Sequence, residues 1–411
     1  MKILIVNKFL YPNGGSETYI FKIGQQLEKM GHEVQYFGME HEGRIVGNHA
    51  ESYTADMNFH SGKPGRIMYP FKIIYSNEAR KKIRSVLDDF EPDAVHLNNI
   101  NFQLTPSIID EIDLYRKQRS SKLKIIYTAH DYQWVCPNHM LMIPATGAMC
   151  SKCIDGDYKN CFKNRCIHES KLRSLLGMLE AVLYQKRKTY TRVDTVICPS
   201  RFMERVLSHN KQLADKLIVM HNFLEPDIRG NCVGQNRDSD YVLYFGRYDR
   251  QKGISTLLKA CKKLPDIHFV FAGKGELENE VDQITNIDNK GFLSGEMLHD
   301  LIRNARFTVF PSEWYENCPF SVMESQTHGT PIIASDLGGT AELLLPGVTG
   351  DLFRGKDEEQ LEKAIRNLWN DKEKCDRYRE ACKDYAQLCR LDTLPSYCSK
   401  LEELYGQDDR R

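Results

Sequence analysis

Two glutamates, Glu316 and Glu324, stand seven residues apart in the stretch Pro311-Ser312-Glu313-Trp314-Tyr315-Glu316-Asn317-Cys318-Pro319-Phe320-Ser321-Val322-Met323-Glu324. With Pro319 in the first turn of a helix, Glu316 falls in the preceding loop and Glu324 just over a turn inside. Two carboxylates so placed reach two points of one long polar ligand. A carboxylate accepting two hydroxyl hydrogen bonds suits a ribose. Trp314, Phe320, Val322 and Met323 surround the pair with apolar groups, which argues against two merely solvated side chains.

Upstream, an apolar run ends in Gly246-Arg247, and Lys252-Gly253 leads into a helical pattern. Two permanent cations beyond a strand can neutralise a diphosphate, both when it binds and when it departs. Taken alone, an Arg and a Lys are also ordinary surface residues. Near the start, Tyr11-Pro12-Asn13-Gly14-Gly15-Ser16-Glu17 precedes a helix. Adjacent glycines let the backbone approach a ligand, and a helix start offers N–H groups to an anion. The spacing is not that of a dinucleotide fingerprint, which argues against an NAD-binding first domain.

A cysteine-rich insert spans about 136–168: Cys136, then Cys150-x2-Cys153-x7-Cys161-x4-Cys166. Cys150, Cys153, Cys161 and Cys166 can close a tetrahedral structural zinc site, with His139 and His168 as substitute ligands. A loop-rich subdomain of reduced thiols is the other reading, and both stand open at this level.

The elements that must position these residues alternate between short β-branched runs and helical patterns, the mark of parallel sheets covered by helices. Strands are expected at 2–6, 33–37, 94–97, 124–129, 195–198 and 217–220, then at 241–245, 267–272, 307–310 and 332–335. A first helix capped by Ser16 runs to Gly31. Further helices are expected at 255–264, 297–305, 357–369 and 393–405. The segment 223–240 has a linker composition. The division is therefore 1–222, a linker at 223–240, a second domain at 241–390 and a last helix within 391–411. In open parallel sheets ligands bind beyond the carboxyl ends of the strands, where the loops above lie.

The 411 residues suit two α/β domains. No apolar run approaches the roughly 20 residues that span a bilayer. The opening residues Ile3 to Val6 are too few for a signal peptide, so a cytoplasmic location with reduced cysteines is expected. The zero net charge hides an asymmetry. Residues 1–222 carry 31 Lys and Arg against 23 Asp and Glu, and the remainder 25 against 33. A basic half facing an anionic partner and uneven surface decoration both fit. Balanced total charge and the absence of a basic-aromatic stripe exclude nucleic acid as a partner.

In order and spacing, these residues resemble the retaining family-4 glycosyltransferases of the GT-B fold, over nearly the whole length. The shared elements are Gly14-Gly15 with Glu17, Thr128-Ala129-His130-Asp131, Gly246-Arg247 with Lys252-Gly253, and Glu316-x7-Glu324. Gly329-Thr330-Pro331, Gly338-Gly339 with Glu342, and Gly347-Val348-Thr349-Gly350 complete the set. The resemblance implies two Rossmann-like domains facing each other across a cleft, a UDP- or GDP-sugar donor, and a glycan or lipid-linked acceptor of surface polysaccharide synthesis. It further implies that Arg247 and Lys252 hold the diphosphate, Glu324 the ribose and Glu316 the donor sugar, with Asn317, Cys318 and Phe320 beside it. His130 would stand at the reacting end and the Gly15 backbone near the phosphate, with no catalytic metal. Many relatives carry a glycine-containing run after the first glutamate; here Pro319 interrupts it and has no N–H to give.

A nucleotide-sugar epimerase of the same fold, or a non-catalytic sugar-binding module, would share the cations without an acceptor surface. For the acceptor, the clusters Arg80-Lys81-Lys82 with Arg84, and Lys186-Arg187-Lys188, matter together with Leu175, Leu176, Met178, Leu179, Val182 and Leu183. These apolar positions recur at helical spacing, so the helix is either core-packed or lies on an anionic membrane at the inner face of the cell.

Overall fold

The computed structural model describes residues 1–55, 74–225 and 240–406. The chain divides into two compact units, Met1–Met220 with Leu394–Arg411, and His221–Thr393. Most of the expected linker, 226–239, lies outside the described residues.

The first unit holds a six-stranded parallel sheet of order β2-β1-β3-β4-β7-β8. Its strands are β1 (Lys2–Val6), β2 (Glu33–Phe37), β3 (Ala94–Leu97) and β4 (Lys124–Thr128), and beyond the insert β7 (Thr195–Cys198) and β8 (Leu217–Val219). Ile3, Leu4, Ile5 and Val6 are wholly buried. A central parallel strand has helices on both faces, which is why its sequence is continuously apolar rather than alternating. Strands β1, β3 and β4 are neighbours, so their carboxyl ends, at Val6, Leu97 and Thr128, share one edge.

The helix Gly15–Lys29 starts differently from expectation. Its N-cap is Gly14 in extended backbone, with no side-chain cap. Ser16 lies inside the helix and donates to Glu17 Oε1 at 2.9 Å. Serine does cap the helices that begin at Asn77, Lys171 and Arg201, through Ser76, Ser170 and Ser200.

The insert between β4 and β7 carries a two-stranded hairpin, β5 (Met142–Ile143) with β6 (Ala148–Met149), and a five-residue helix, Lys159–Lys163.

The second unit repeats the parallel plan in the order β11-β10-β9-β12-β13-β14. Four strands are near their expected places, β9 (Val242–Phe245), β10 (Phe269–Ala272), β12 (Phe307–Phe310) and β13 (Ile332–Ser335). The two edge strands, β11 (Ile287–Asn289) and β14 (Gly350–Phe353), carry polar residues in short runs and gave no apolar signal. Among the described residues no helix is long and apolar enough to cross a membrane.

The helix Leu394–Gly406 belongs to the first unit and is joined to it by a buried polar chain. Tyr397 Oη lies 2.9 Å from Tyr19 Oη, which lies 3.2 Å from Thr128 Oγ1. Thr128 Oγ1 meets His96 Nε2 at 2.7 Å, and His96 Nδ1 meets Tyr405 Oη at 2.7 Å. Every group here is withdrawn from water, so losing one partner exposes the desolvation cost of the other. Tyr405→Phe should therefore destabilise the protein by about 1–3 kcal/mol, read from its urea-unfolding midpoint. An unchanged midpoint would show that the chain of hydroxyls contributes nothing.

Candidate active site

In the second unit, the loop after β9 turns through Gly246 to Arg247, whose guanidinium is 65% exposed and 3.4 Å from Asp249. Asp249 caps a single 3-10 turn, Arg250–Lys252, by accepting from the Lys252 amide at 2.9 Å. Gly253 follows at φ +75°, where a Cβ would overlap the Pro311 carbonyl. The turn thus lies flush against the loop after β12. There Lys252 Nζ donates to Glu316 Oε1 at 2.6 Å, and Ser312 Oγ donates to the same oxygen at 2.7 Å. The Glu316 backbone is fixed as well. It bridges to Gly338, whose φ of +67° and lack of a Cβ admit the Glu316 carbonyl, and the Gly339 amide donates to that carbonyl at 2.6 Å.

Beside this pair lies an open pocket of about 430 Å³ whose walls include Arg247, Lys252, Lys274, Phe292, Ser321 and Glu324. Pro319 is the N-cap of the helix Phe320–Thr327 rather than part of its first turn, and Glu324 sits a turn inside. The start of that helix brings its electropositive end to the pocket through Ser321.

Asn317, Cys318 and Phe320 do not line this pocket. Cys318 is buried in the unit's second core with Val322 and Met323, and its sulfur accepts from the Asn222 amide at 3.2 Å. Phe320 packs against that core. Core packing thus claims the side chains of Cys318 and Phe320. Sequence reading missed Lys274 and Phe292. The Gly273-Lys274-Gly275 run was a usable signal; Phe292 follows the unrecognised edge strand β11.

In the first unit, the shared carboxyl edge gathers side chains from three strands. Asn7 Nδ2 donates to Glu17 Oε1 at 2.9 Å, the Asn99 amide donates to Asn7 Oδ1 at 3.0 Å, and Asn99 Nδ2 donates to Ser16 Oγ at 2.8 Å. A Cβ on Gly15 would meet nothing within 4 Å, so packing does not demand glycine there. His130 Nε2 lies 2.9 Å from Asn98 Oδ1. Asn98 Nδ2 points instead at the carbonyls of Val6 and His96, so Oδ1 is left to accept and the His130 proton sits on Nε2.

Asp131, the next residue, anchors a second set. Asn101 Nδ2 donates to its Oδ2 at 2.8 Å, the His139 ring is 3.2 Å away, and Lys8 Nζ donates to Asn101 Oδ1 at 2.7 Å. Burial works to raise the Asp131 carboxyl, but His139, the Gln133 amide and Lys8 together hold it below its usual range. Lys8 is lowered by burial against the pull of Asp131 and Glu17. His139 also stacks on Phe102 at 4.7 Å and is not among the residues that line the void of the insert. Lys8, Asn98 and Asn101 went unread because each is a lone polar residue; only the adjacency of β1, β3 and β4 brings them together.

A model of glycosyltransferase family 4 matches residues 13–228, over half the chain, and one of the glycosyl transferases group 1 matches 232–385. The chain belongs to glycosyltransferase family 4. Its relatives include an uncharacterized glycosyltransferase of Methanocaldococcus jannaschii, 26% identical over 50% of this chain and 58% of that one. The chain thus spans little more than half the length of that relative. An uncharacterized 42.6 kDa protein in the cps region of Klebsiella pneumoniae is 21% identical over 85% of this chain and 89% of that one. Anabaena HepE, solved in complex with UDP, superposes with a TM-score of 0.67 at 15% identity, covering 98% of this chain and 99% of the other. That likeness shows the GT-B fold.

Burial lowers His130 to about 4, opposed only by Asp131, and His96 to about 3. Both rings are therefore neutral near pH 7, while an unfolded histidine takes its proton at about 6.5. The unfolded state binds more protons between these values, so the stability each ring contributes is full above about pH 6.5 and is lost as pH falls towards 4. The melting temperature should decline over that window, and the His130 imidazole resonance should show no titration from about pH 5.5 to 8. An inflection for His130 near 6.5 would contradict its burial.

Proposed function

We propose that the chain is a retaining glycosyltransferase that moves a hexose from a UDP- or GDP-sugar to a glycan or lipid-linked acceptor of surface polysaccharide. The observation that carries this reading is a pocket lined by Arg247, Lys252 and Glu324, in which Lys252 is held by Glu316 from outside the lining. Arg247, Lys252 and the start of the helix Phe320–Thr327 offer positive charge to a diphosphate, which gathers negative charge as the glycosidic bond breaks. That set does the electrostatic work without a catalytic metal. Glu324 accepts ribose hydroxyls, and Phe292, 68% exposed, offers a face to the base. Glu316 holds Lys252 in place and meets sugar hydroxyls.

On the first unit, the open space at Gly15 suits approach of a phosphate to backbone N–H groups. Neutral His130, its Nε2 proton committed to Asn98, is the residue assigned to the reacting end, as a polar group rather than a charge. Retention then follows from attack on the same face as the departing diphosphate, through an oxocarbenium-like state. The UDP in the Anabaena structure and the cps location of the Klebsiella relative support the donor and the pathway class.

A membrane-bound acceptor is favoured by the helix Lys171–Lys186. It turns small and polar residues inward, Ser174, Gly177, Glu180, Ala181 and Tyr184. Leu172 and Leu179 are 62% and 43% exposed, with Leu175, Leu176 and Leu183 half-exposed on the same stripe. Met178 and Val182 pack against the core of the insert, so part of the apolar run is core and the leucine stripe is what is left towards solvent. Lys171, Arg173, Lys186 and Lys188 are exposed at its ends. Arg80 and Arg84, by contrast, are engaged with Glu111. Apolar contact flanked by cations suits the inner, anionic face of a cell membrane, bound reversibly.

Arg247→Ala and Lys252→Ala should each lower turnover by on the order of 10²-fold, read as nucleoside diphosphate released from a nucleotide-sugar in the presence of acceptor. Glu324→Ala should weaken nucleotide binding in a thermal-shift titration, whereas Glu316→Gln should lower turnover with nucleotide bound. Near-wild-type turnover in both cation variants would remove the diphosphate assignment. Product formed without acceptor would favour an epimerase. For the membrane, the protein should co-sediment with anionic vesicles at low salt, and Leu172→Ser with Leu179→Ser should abolish it. Failure of the wild type to co-sediment would leave a soluble glycan as acceptor.

A further inference from the structure

The insert has almost no ordinary core. Its buried cluster consists of Cys153, Tyr158, Cys161, Cys166 and Ile167 packed on Ala181. Its regular elements are a hairpin of two-residue strands and one helix of five residues. Its backbone is costly: His139, Leu141, Arg165, His168 and Glu169 all have φ between +48° and +68°. Such conformations persist only where surrounding structure over-determines them. A segment this small and this strained needs a staple.

Five cysteines, Cys136, Cys150, Cys153, Cys161 and Cys166, are among the residues that line a single void of about 10 Å³ inside it. All five are free cysteines. A core of small hydrophobes would close such a void, because an unfilled gap forfeits contacts on every side. We propose that Cys150, Cys153, Cys161 and Cys166 hold one structural zinc ion there as thiolates. Cys136 is the fifth and stays a thiol: its Sγ donates to Asn138 Oδ1 at 2.8 Å. Among the described residues no three His, Cys, Asp or Glu side chains stand ready as a metal site, so binding entails turning the sulfurs inward about their Cα–Cβ bonds. Four thiolates around Zn²⁺ leave two negative charges. Between Cys150 and His168 four cations, Lys152, Lys159, Lys163 and Arg165, outnumber Asp155 and Asp157 and match that excess. Binding releases four thiol protons to solvent and involves no change of oxidation state.

The site would also position the first unit's carboxyl-edge network. Asn138 Nδ2 donates to the carbonyls of Met142 and Cys166, and the next residue, His139, is the one that meets Asp131.

Full-length protein, produced without a metal-affinity tag or chelator, should contain about one zinc per chain by elemental analysis. Cys153→Ser and Cys161→Ser should lower that at least five-fold, and Cys136→Ser should leave it unchanged. Should the serine variants fail to fold, the wild type still decides. Iodoacetamide should modify the four cysteines only after chelation, as read by peptide mass. Wild-type protein without zinc would overturn the proposal, as would disulfide masses across these cysteines or zinc lost only in Cys136→Ser.

Discussion

A charged pair withdrawn from water gains little unless its geometry is held, since desolvation consumes most of the Coulombic return. Lys252 and Glu316 meet across 64 residues of chain, and nearly everything around them serves to hold that meeting. The 3-10 turn can lie against the loop after β12 only because position 253 lacks a Cβ. The Glu316 backbone is gripped from the other side at Gly338 and Gly339. Strands β9 and β12 are hydrogen-bonded neighbours, which sets the two loops side by side before either side chain acts. The pair is thus a consequence of strand order, and glycine at two points is its condition.

The first unit reaches a similar end with neutral groups. His130, Asn98, Asn7 and Glu17 form a network in which one amide orientation fixes one imidazole proton. Asp131 and Lys8 carry opposite charges nearby: Asp131 works against the lowering that burial imposes on Lys8, and Lys8 adds to the lowering of Asp131. Burial is the dominant force in both networks, and hydrogen bonds decide which protonation state it selects.

Much of the plan was legible in the sequence, and the limits have physical causes. Central strands are buried on both faces and announce themselves as apolar runs, as in Ile3 to Val6. Edge strands β11 and β14 are half solvated and short, so they carry no such signal. Glu316, Glu324, Arg247 and Lys252 were readable because each lies a fixed distance past a strand. The core packing of the Cys318 and Phe320 side chains was not legible, because adjacency along the chain says nothing about which side of a loop a side chain takes. The helix Lys171–Lys186 shows the same limit: its period was plain, but which stripe faces inward depends on a neighbouring surface the sequence does not display.

The return of Leu394–Gly406 to the first unit has a consequence for how the protein is made. Tyr397 and Tyr405 complete hydrogen bonds of Tyr19 and His96, yet they are synthesised after the whole second unit. At translation rates of about 5–20 residues per second, the nascent first unit waits roughly 10–40 s with that buried chain unfinished. Throughout that interval the first unit stays open where Tyr19 and His96 await their hydroxyls. A chain stalled within the second unit would therefore present the amino-terminal half, its buried hydroxyl chain unfinished, to chaperones and proteases.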